Sequence, residues 1–218
     1  MVDDSDPGPS DHGPSDHGLA GAYALTSPDD NRRHYDDWAE TYDTGFGAAT
    51  GYVVPTHIAA LYREASRDAA PVLDVGAGTG LLGRALGGLT VDGIDISPAM
   101  LARAEAKGVY RDLIEADLTA ALPLPDAAYA GVISAGTFTH GHVGPDAFEE
   151  LLRVARPGAT FACGMIESIV DSGFGSYLAR LVAHGRITPV AWREGATYEG
   201  VDHPHADDRT LVAMFEKA

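Results

Sequence analysis

The chain is short of cysteine, of lysine and of long apolar segments, and each shortage excludes a class of protein. Its one cysteine, Cys163, cannot form an internal disulfide, and the apolar residues around it predict a buried position. No apolar run approaches the roughly 20 residues of a membrane-spanning helix. The first residues are acidic where a secretory signal is basic and then apolar, so we expect a cytoplasmic protein.

Positive charge is also scarce. The 218 residues include 15 Lys and Arg against 32 Asp and Glu, which gives a net charge of −17 at pH 7. Such a surface repels the phosphates of nucleic acids and of anionic membranes, so neither is an expected partner. The composition leaves the oligomeric state open.

The composition changes near residue 30. Residues 1–30 are rich in Asp, Gly, Pro, Ser and His, and they repeat Gly-Pro-Ser-Asp-His at 8–12 and 13–17. Such a segment buries too little apolar surface to offset its ordering entropy, so it is predicted to be a disordered tail with no metal site. Residues 31–218 are predicted to form a single domain that begins with a helical lid at about 31–66.

Apolar and helical patterns alternate along that domain. The predicted strands lie at 71–75, 90–95, 110–115, 129–134, 158–165, 187–192 and 210–216, and the helices between them at 79–87, 98–107, 146–155 and 173–184. This alternation predicts an α/β fold, a Rossmann-like three-layer sandwich with a seven-stranded, mostly parallel sheet. Because no helix is predicted between the last two strands, the final strand should be antiparallel.

A glycine-rich loop follows the first predicted strand directly. Gly76, Gly78 and Gly80 let the backbone turn tightly and approach a ligand. Leu81 stands where the third glycine of the dinucleotide fingerprint would be. Asp74 places a carboxylate beside the loop, and it suits a ligand with ammonium and sulfonium groups better than a pyrophosphate, which it would repel.

Carboxylates also follow the next two predicted strands. Asp95 lies at the interval where an acidic residue commonly binds ribose hydroxyls. Asp117 is placed to accept a hydrogen bond from an adenine amine, and Leu118 to cover the ring. Ile96 lies beside Asp95, and Met100 projects toward the expected adenine site from a helix that begins at Ser97 and Pro98.

These motifs resemble those of the class I S-adenosylmethionine-dependent methyltransferases. The resemblance covers about residues 34–217, and its motifs are 72–80, 93–101, 115–118 and 151–159. Residues 35–43 are similar to a lid helix of the small-molecule branch, which includes the methyltransferase-like proteins named after the Williams–Beuren chromosome region. The resemblance implies S-adenosyl-L-methionine as cofactor and S-adenosyl-L-homocysteine as product.

The resemblance also implies roles for individual residues. The three loop glycines would line the methionine portion, and Asp74 would hold its ammonium, directly or through water. Asp95 would bind the ribose, and Asp117 with Leu118 the adenine. The aromatic side chains that would close over the cofactor are Tyr35, Trp38 and Tyr42.

Methyl transfer requires alignment of the nucleophile, the methyl group and sulfur, and a base only where the nucleophile must lose a proton. The segment after the fourth predicted strand faces the methyl group in such folds, so Ser134 to Gly136 should border the cofactor. His140, then His142, are the candidate bases because histidine titrates near neutrality. The expected acceptor is a small molecule with an oxygen, nitrogen or carbon nucleophile.

Two alternatives remain open. A nicotinamide-dependent oxidoreductase shares the general fold, but the glycine spacing differs and no Tyr-x-x-x-Lys pair is evident around the only lysines, Lys107 and Lys217. A module that binds the cofactor or a partner without catalysis is the second alternative, since a fold does not guarantee an activity.

Overall fold

A computed structural model describes residues 27–138, 143–202 and 208–218. Its strands form one sheet: β1 (Val72–Val75), β2 (Val91–Asp95), β3 (Leu113–Glu115), β4 (Tyr129–Phe138), β5 (Ala155–Ile166), β6 (Ala191–Ala196) and β7 (Arg209–Glu216). Their order is β3-β2-β1-β4-β5-β7-β6. Strands β1 to β5 pair in parallel, and β7 runs antiparallel to both of its neighbours, β5 and β6, so the predicted fold class and the antiparallel final strand are confirmed.

Helices precede the sheet and cover it. They are α1 (Pro28–Trp38), α2 (Val54–Ser66), α3 (Leu81–Ala85), α4 (Pro98–Lys107), α5 (Ala147–Val154) and α6 (Gly175–Ala183). A π-helical turn, Tyr42–Ala48, follows α1, and a helical turn, Glu167–Ile169, leads through a second π-helical turn, Val170–Phe174, into α6. In the described part of the chain, no helix is both long and apolar enough to cross a membrane.

The hydrophobic core has two parts, one on each face of the sheet, because helices cover the central strands on both sides. Along β1, Leu73 and Val75 pack with Phe148 of α5, whereas Val72 packs with Ile58 and Tyr62 of α2. Successive side chains of a strand point to opposite faces, which explains this division. The carboxyl ends of the parallel strands are thereby held at one edge, where the loops carry the polar residues.

Local sequence signals explain the helix ends. Ser97 caps α4 by accepting a hydrogen bond from the Met100 amide at 3.1 Å, and Pro98 occupies the first turn. Gly108 ends the helix with φ of 62°, in the left-handed region where glycine is favoured.

Several predicted boundaries differ from the structure: the third strand begins at Leu113, the fourth extends to Phe138, the fifth begins at Ala155, and the helix after the glycine loop is shortened to Leu81–Ala85. Two more differences lie at the first helix and at the edge strand. The first helix begins at Pro28, so residues 28–30 belong to α1 and not to the predicted tail, whose residues 1–26 lie outside the described residues. Ser27 caps this helix, with its hydroxyl oxygen 3.2 Å from the Asp30 amide. The sixth strand, predicted at 187–192, lies at Ala191–Ala196, because its hydrogen bonds with β7 begin at Ala191.

Candidate active site

A cleft opens at the carboxyl ends of β1, β2 and β4, beneath α1. Its volume is about 720 Å³ including the open mouth. The described residues that line it are Pro28, Asn31, Tyr35, Tyr42, Gly76, Gly78, Asp95, Ile96, Met100, Ala116, Asp117, Leu118, Ala135, Gly136, Thr137 and Val143. This is the edge of an open parallel sheet where ligands bind.

The glycine loop forms one wall of this cleft, and all three of its glycines have positive φ, a conformation that favours glycine. Gly76 has φ of 69°, and a Cβ there would lie 1.9 Å from the Thr137 Oγ1 atom. Gly78 has φ of 51°, and a Cβ there would meet no atom within 4 Å. The loop therefore leaves room for a ligand at Gly78 and close packing behind Gly76.

Asp95 is fixed at the end of β2 by backbone amides. One carboxylate oxygen accepts from the Gly78 N–H at 2.8 Å, and the other accepts from the Ser97 N–H at 2.9 Å. Burial raises the pKa of Asp95, while these amide hydrogen bonds oppose the rise. The carboxylate lines the cleft together with Ile96 and Met100, so it offers a rigid hydrogen-bond acceptor to a ligand.

Asp117 and Leu118 line the cleft after β3. One Asp117 oxygen accepts from the Thr119 amide at 2.8 Å and from the Thr119 hydroxyl at 2.7 Å, which closes a short turn. Leu118 is buried and packs into the core. The turn thus presents a carboxylate next to an apolar surface.

The lid is an aromatic cluster. The rings of Tyr35 and Trp38 stack with centroids 6.0 Å apart, and Tyr42 meets Trp38 edge-on at 4.9 Å. Tyr35 and Tyr42 line the cleft, whereas Trp38 packs behind them against Phe46. The three predicted aromatics do come together, although α1 ends at Trp38 and Tyr42 begins the π-helical turn.

Four predicted site residues do not line the cleft: Trp38, Asp74, Gly80 and Ser134. Asp74 is buried and accepts a hydrogen bond from the Tyr110 hydroxyl at 2.7 Å. Burial raises its pKa to about 7. A Cβ on Gly80 would also meet the Tyr110 ring, and Ser134 donates to the Val75 carbonyl at 2.8 Å. Asp74, Gly80 and Ser134 therefore pack behind the cleft wall and support the glycine loop from there.

Sequence reasoning missed several lining residues, of which Asn31 is the most polar. Asn31 is buried and lines the cleft one helical turn before Tyr35. Asn31 and Tyr35 are four residues apart, a spacing that places both side chains on one face of a helix. A helix predicted to begin at Pro28 would have included Asn31 on that face. The candidate bases His140 and His142 lie outside the described residues.

Part of the chain matches a known protein family. Residues 73–163, which include the glycine loop, Asp95 and Asp117, match a family described as a methyltransferase domain. The human methyltransferase-like protein 27 is 36% identical over 131 residues, which are 57% of this chain and 53% of that protein. The chain thus spans about half the length of this curated relative.

Solved structures agree in fold. A chain from a complex that contains a Haloferax volcanii methyltransferase activator is 21% identical with a TM-score of 0.61, covering 84% of this chain and 97% of that chain. The 1,6-didemethyltoxoflavin-N1-methyltransferase of Burkholderia thailandensis, with bound S-adenosylhomocysteine, is 21% identical with a TM-score of 0.60, covering 89% of this chain and 92% of that chain. At 21% sequence identity, these two structures show that the fold is shared and no more than that.

Proposed function

We propose that the chain transfers a methyl group from S-adenosylmethionine to a small-molecule acceptor, because residues 73–163 match a family described as a methyltransferase domain. One observation carries the proposal. The segment that matches the methyltransferase family includes the glycine loop, Asp95 and Asp117, and in the structure these lie in one cleft.

Two features of the cleft support this cofactor: open space at the glycine loop and the negative charge of the lining. Gly78 faces open space, so a ligand can approach the loop backbone there. Among the described lining residues, the charged side chains are the carboxylates of Asp95 and Asp117. Such a lining favours a ligand with ammonium and sulfonium groups and disfavours the pyrophosphate of a nicotinamide cofactor.

The roles of the lining residues follow from their positions. We assign ribose binding to Asp95, whose carboxylate is held by two amides. We assign the adenine to Asp117 and Leu118, with Ile96 and Met100 as apolar walls. The methionine portion is assigned to the loop at Gly76 and Gly78.

Asp74 is assigned a supporting role. Its side chain is buried against Tyr110, so a direct contact with the ammonium is not the arrangement that this structure favours. Gly80 and Ser134 share this supporting position. Tyr35 and Tyr42 are assigned to closing the cleft, with Trp38 as the packing partner of both.

When bound, S-adenosylmethionine supplies an electrophilic methyl group on a positively charged sulfur. The chain's contribution is to align the acceptor and to exclude water from the cleft. Burial raises the pKa of Tyr42 well above its usual value, so its hydroxyl stays protonated and cannot serve as a base. His140, which follows β4 in the sequence, remains our candidate base for an acceptor that must lose a proton.

A small acceptor is favoured by the aromatic character of the lid, whose Tyr35 and Tyr42 line the cleft. The fold neighbour from Burkholderia thailandensis is a 1,6-didemethyltoxoflavin-N1-methyltransferase with 1,6-didemethyltoxoflavin bound. The proposal extends that class of substrate, not that particular molecule, to this chain.

Turnover with a fractionated metabolite extract tests the proposal. The purified chain is incubated with methyl-labelled S-adenosylmethionine, and S-adenosylhomocysteine and labelled products are followed by mass spectrometry. We expect S-adenosylhomocysteine to form with at least one fraction, and Asp95→Ala to abolish it at low cofactor concentration. If the chain binds the cofactor but forms no product with any fraction, a non-catalytic binding module is the correct account.

A further inference from the structure

Three side chains tie the lid to the body of the domain, and we call them the latch: Asp43, Thr79 and Lys107. The Lys107 ammonium lies 2.5 Å from one Asp43 oxygen and donates to the Thr79 carbonyl at 2.5 Å. The Thr79 hydroxyl donates to the other Asp43 oxygen. The latch therefore joins the π-helical turn after α1, the glycine loop and the last turn of α4.

The latch is sheltered from solvent. Thr79 is buried, and the side chains of Lys107 and Asp43 are 20% and 36% exposed. Water competes less with an ion pair in such surroundings than with one on an open surface. Lys107 is one of only two lysines in a chain whose net charge is −17, and it pairs with one of the many carboxylates.

The latch lies next to a residue that lines the cleft. Asp43 follows Tyr42 directly, and Thr79 follows Gly78, so the two tethered residues adjoin two residues of the cleft wall. Tyr42 also packs on Trp38 at 4.9 Å and on Phe46 at 5.2 Å. Holding Asp43 in place thus holds the Tyr42 ring over the glycine loop.

Two further contacts join the lid to α4, and they differ in strength. Asp36 accepts from the Ser97 hydroxyl at 2.6 Å and from the Ala99 amide at 3.2 Å, at the start of α4. Glu40 and Arg103 approach only to 4.0 Å, with side chains 84% and 50% exposed. Helix α4 is therefore tied to the lid at both of its ends, and the exposed pair between them supplies a natural control.

We propose that Lys107 and Asp43 are positioning residues whose ion pair keeps Tyr42 over the cleft and thereby sets the rate at which the cofactor leaves. The proposal rests on the proposed function in one respect, that the cleft holds S-adenosylmethionine or S-adenosylhomocysteine. Neither residue lines the cleft among the described residues, so each acts through Tyr42 and the glycine loop.

The dissociation rate of S-adenosylhomocysteine tests this proposal. The chain has two tryptophans, Trp38 in the lid and Trp192 on β6, so a Trp192→Phe background leaves Trp38 as the fluorescent reporter. We expect Lys107→Met and Asp43→Asn each to speed dissociation by about tenfold, the effect of losing one charge-assisted hydrogen bond. Lys107→Arg, which keeps the charge, should restore most of the slow rate.

Two comparisons separate the latch from general loosening of the fold. Arg103→Met removes the exposed pair to Glu40 and should leave the dissociation rate within twofold of the parent rate. Added salt should speed dissociation from the parent chain and not from Lys107→Met, because only the parent retains the pair that salt screens. A Lys107→Met rate equal to the parent rate, or an equal effect of Arg103→Met, would overturn the proposal.

Hydrogen exchange on the ligand-free chain tests the latch independently of the cofactor. The Gly45 and Thr50 amides are bonded to the Thr41 and Phe46 carbonyls at 2.6 Å and 2.9 Å. We expect their exchange to become about tenfold faster in Lys107→Met and to stay unchanged in Arg103→Met. If the parent chain binds neither sulfur cofactor, the proposed function fails, and unchanged exchange in Lys107→Met would separately refute the latch.

Discussion

Replacing Asp74 by Asn should change how the stability of the fold depends on pH. The Asp74 carboxyl is 1% exposed and accepts a hydrogen bond from the Tyr110 hydroxyl at 2.7 Å. An Asn amide oxygen can accept the same hydrogen bond in the same space. The substitution therefore removes the ionisation with little change in packing.

The sign of the effect follows from the pKa shift. Burial raises the pKa of Asp74 from its ordinary value of 3.8 to about 7, so the folded chain holds this proton more tightly than the unfolded chain does. This contribution to stability is fully present below pH 3.8 and is lost progressively as the pH rises to about 7. Between about pH 5.5 and about pH 8 the loss is about 2 kcal/mol, at about 1.4 kcal/mol per pH unit below the folded pKa.

Urea unfolding at those two pH values measures this difference. We expect the free energy of unfolding of Asp74→Asn, relative to the parent chain, to be about 2 kcal/mol more favourable at about pH 8 than at about pH 5.5. Glu105→Gln removes one negative charge from an exposed position on α4 and serves as the control. An equal difference at both pH values would refute the reasoning, because Asp74 would then not ionise within this range in the folded chain.

Four other substitutions have defined outcomes. Gly83→Ala should lower the free energy of unfolding by about 1–3 kcal/mol in urea, since its Cβ would lie 2.4 Å from the Tyr110 ring. Gly78→Ala and Gly108→Ala both place alanine at positive φ and should each cost about 1 kcal/mol, but only Gly78→Ala should weaken cofactor binding in calorimetry. Asp95→Ala should weaken that binding more than tenfold, and an unchanged affinity would show that the ribose assignment is wrong.

The central strands and the loops after them were predictable because their sequence signal is strong. β1 and β2 are almost wholly buried, β5 has a continuous buried stretch over residues 159–165, and the chemistry of the glycine loop follows from the need for positive φ at Gly76 and Gly78. Edge strand β6 has no such signal. Its first four residues, among them Trp192, are exposed, so hydrogen bonding to β7 and not apolar periodicity determines where it begins.

The position of Asp74 shows why some site residues could not be predicted. Asp74 and Asp95 both belong to strands whose carboxyl ends border the cleft, and both looked like ligand-binding carboxylates. Asp95 is the last residue of β2 and faces the cleft, whereas Asp74 precedes the last residue of β1 and is bonded to Tyr110, which is 36 residues away in sequence. Tyr110 reaches Asp74 only through the packing of α4 and the loop after it, so the sequence near Asp74 does not predict this contact.

The N-terminal boundary was missed for a different reason. Ser27 and Pro28 form the same helix start as Ser97 and Pro98, but the polar composition of the preceding residues predicts a tail that continues to residue 30. A local cap signal outweighed composition here. Recognising it would have placed Asn31 on the face of α1 that carries Tyr35.

Isothermal calorimetry with S-adenosylmethionine, S-adenosylhomocysteine and NAD tests the central claim most directly, since it measures which cofactor the cleft accepts before any acceptor is known. We predict saturable binding of both sulfur cofactors and none of NAD at millimolar concentration. Binding of NAD without either sulfur cofactor would contradict the account.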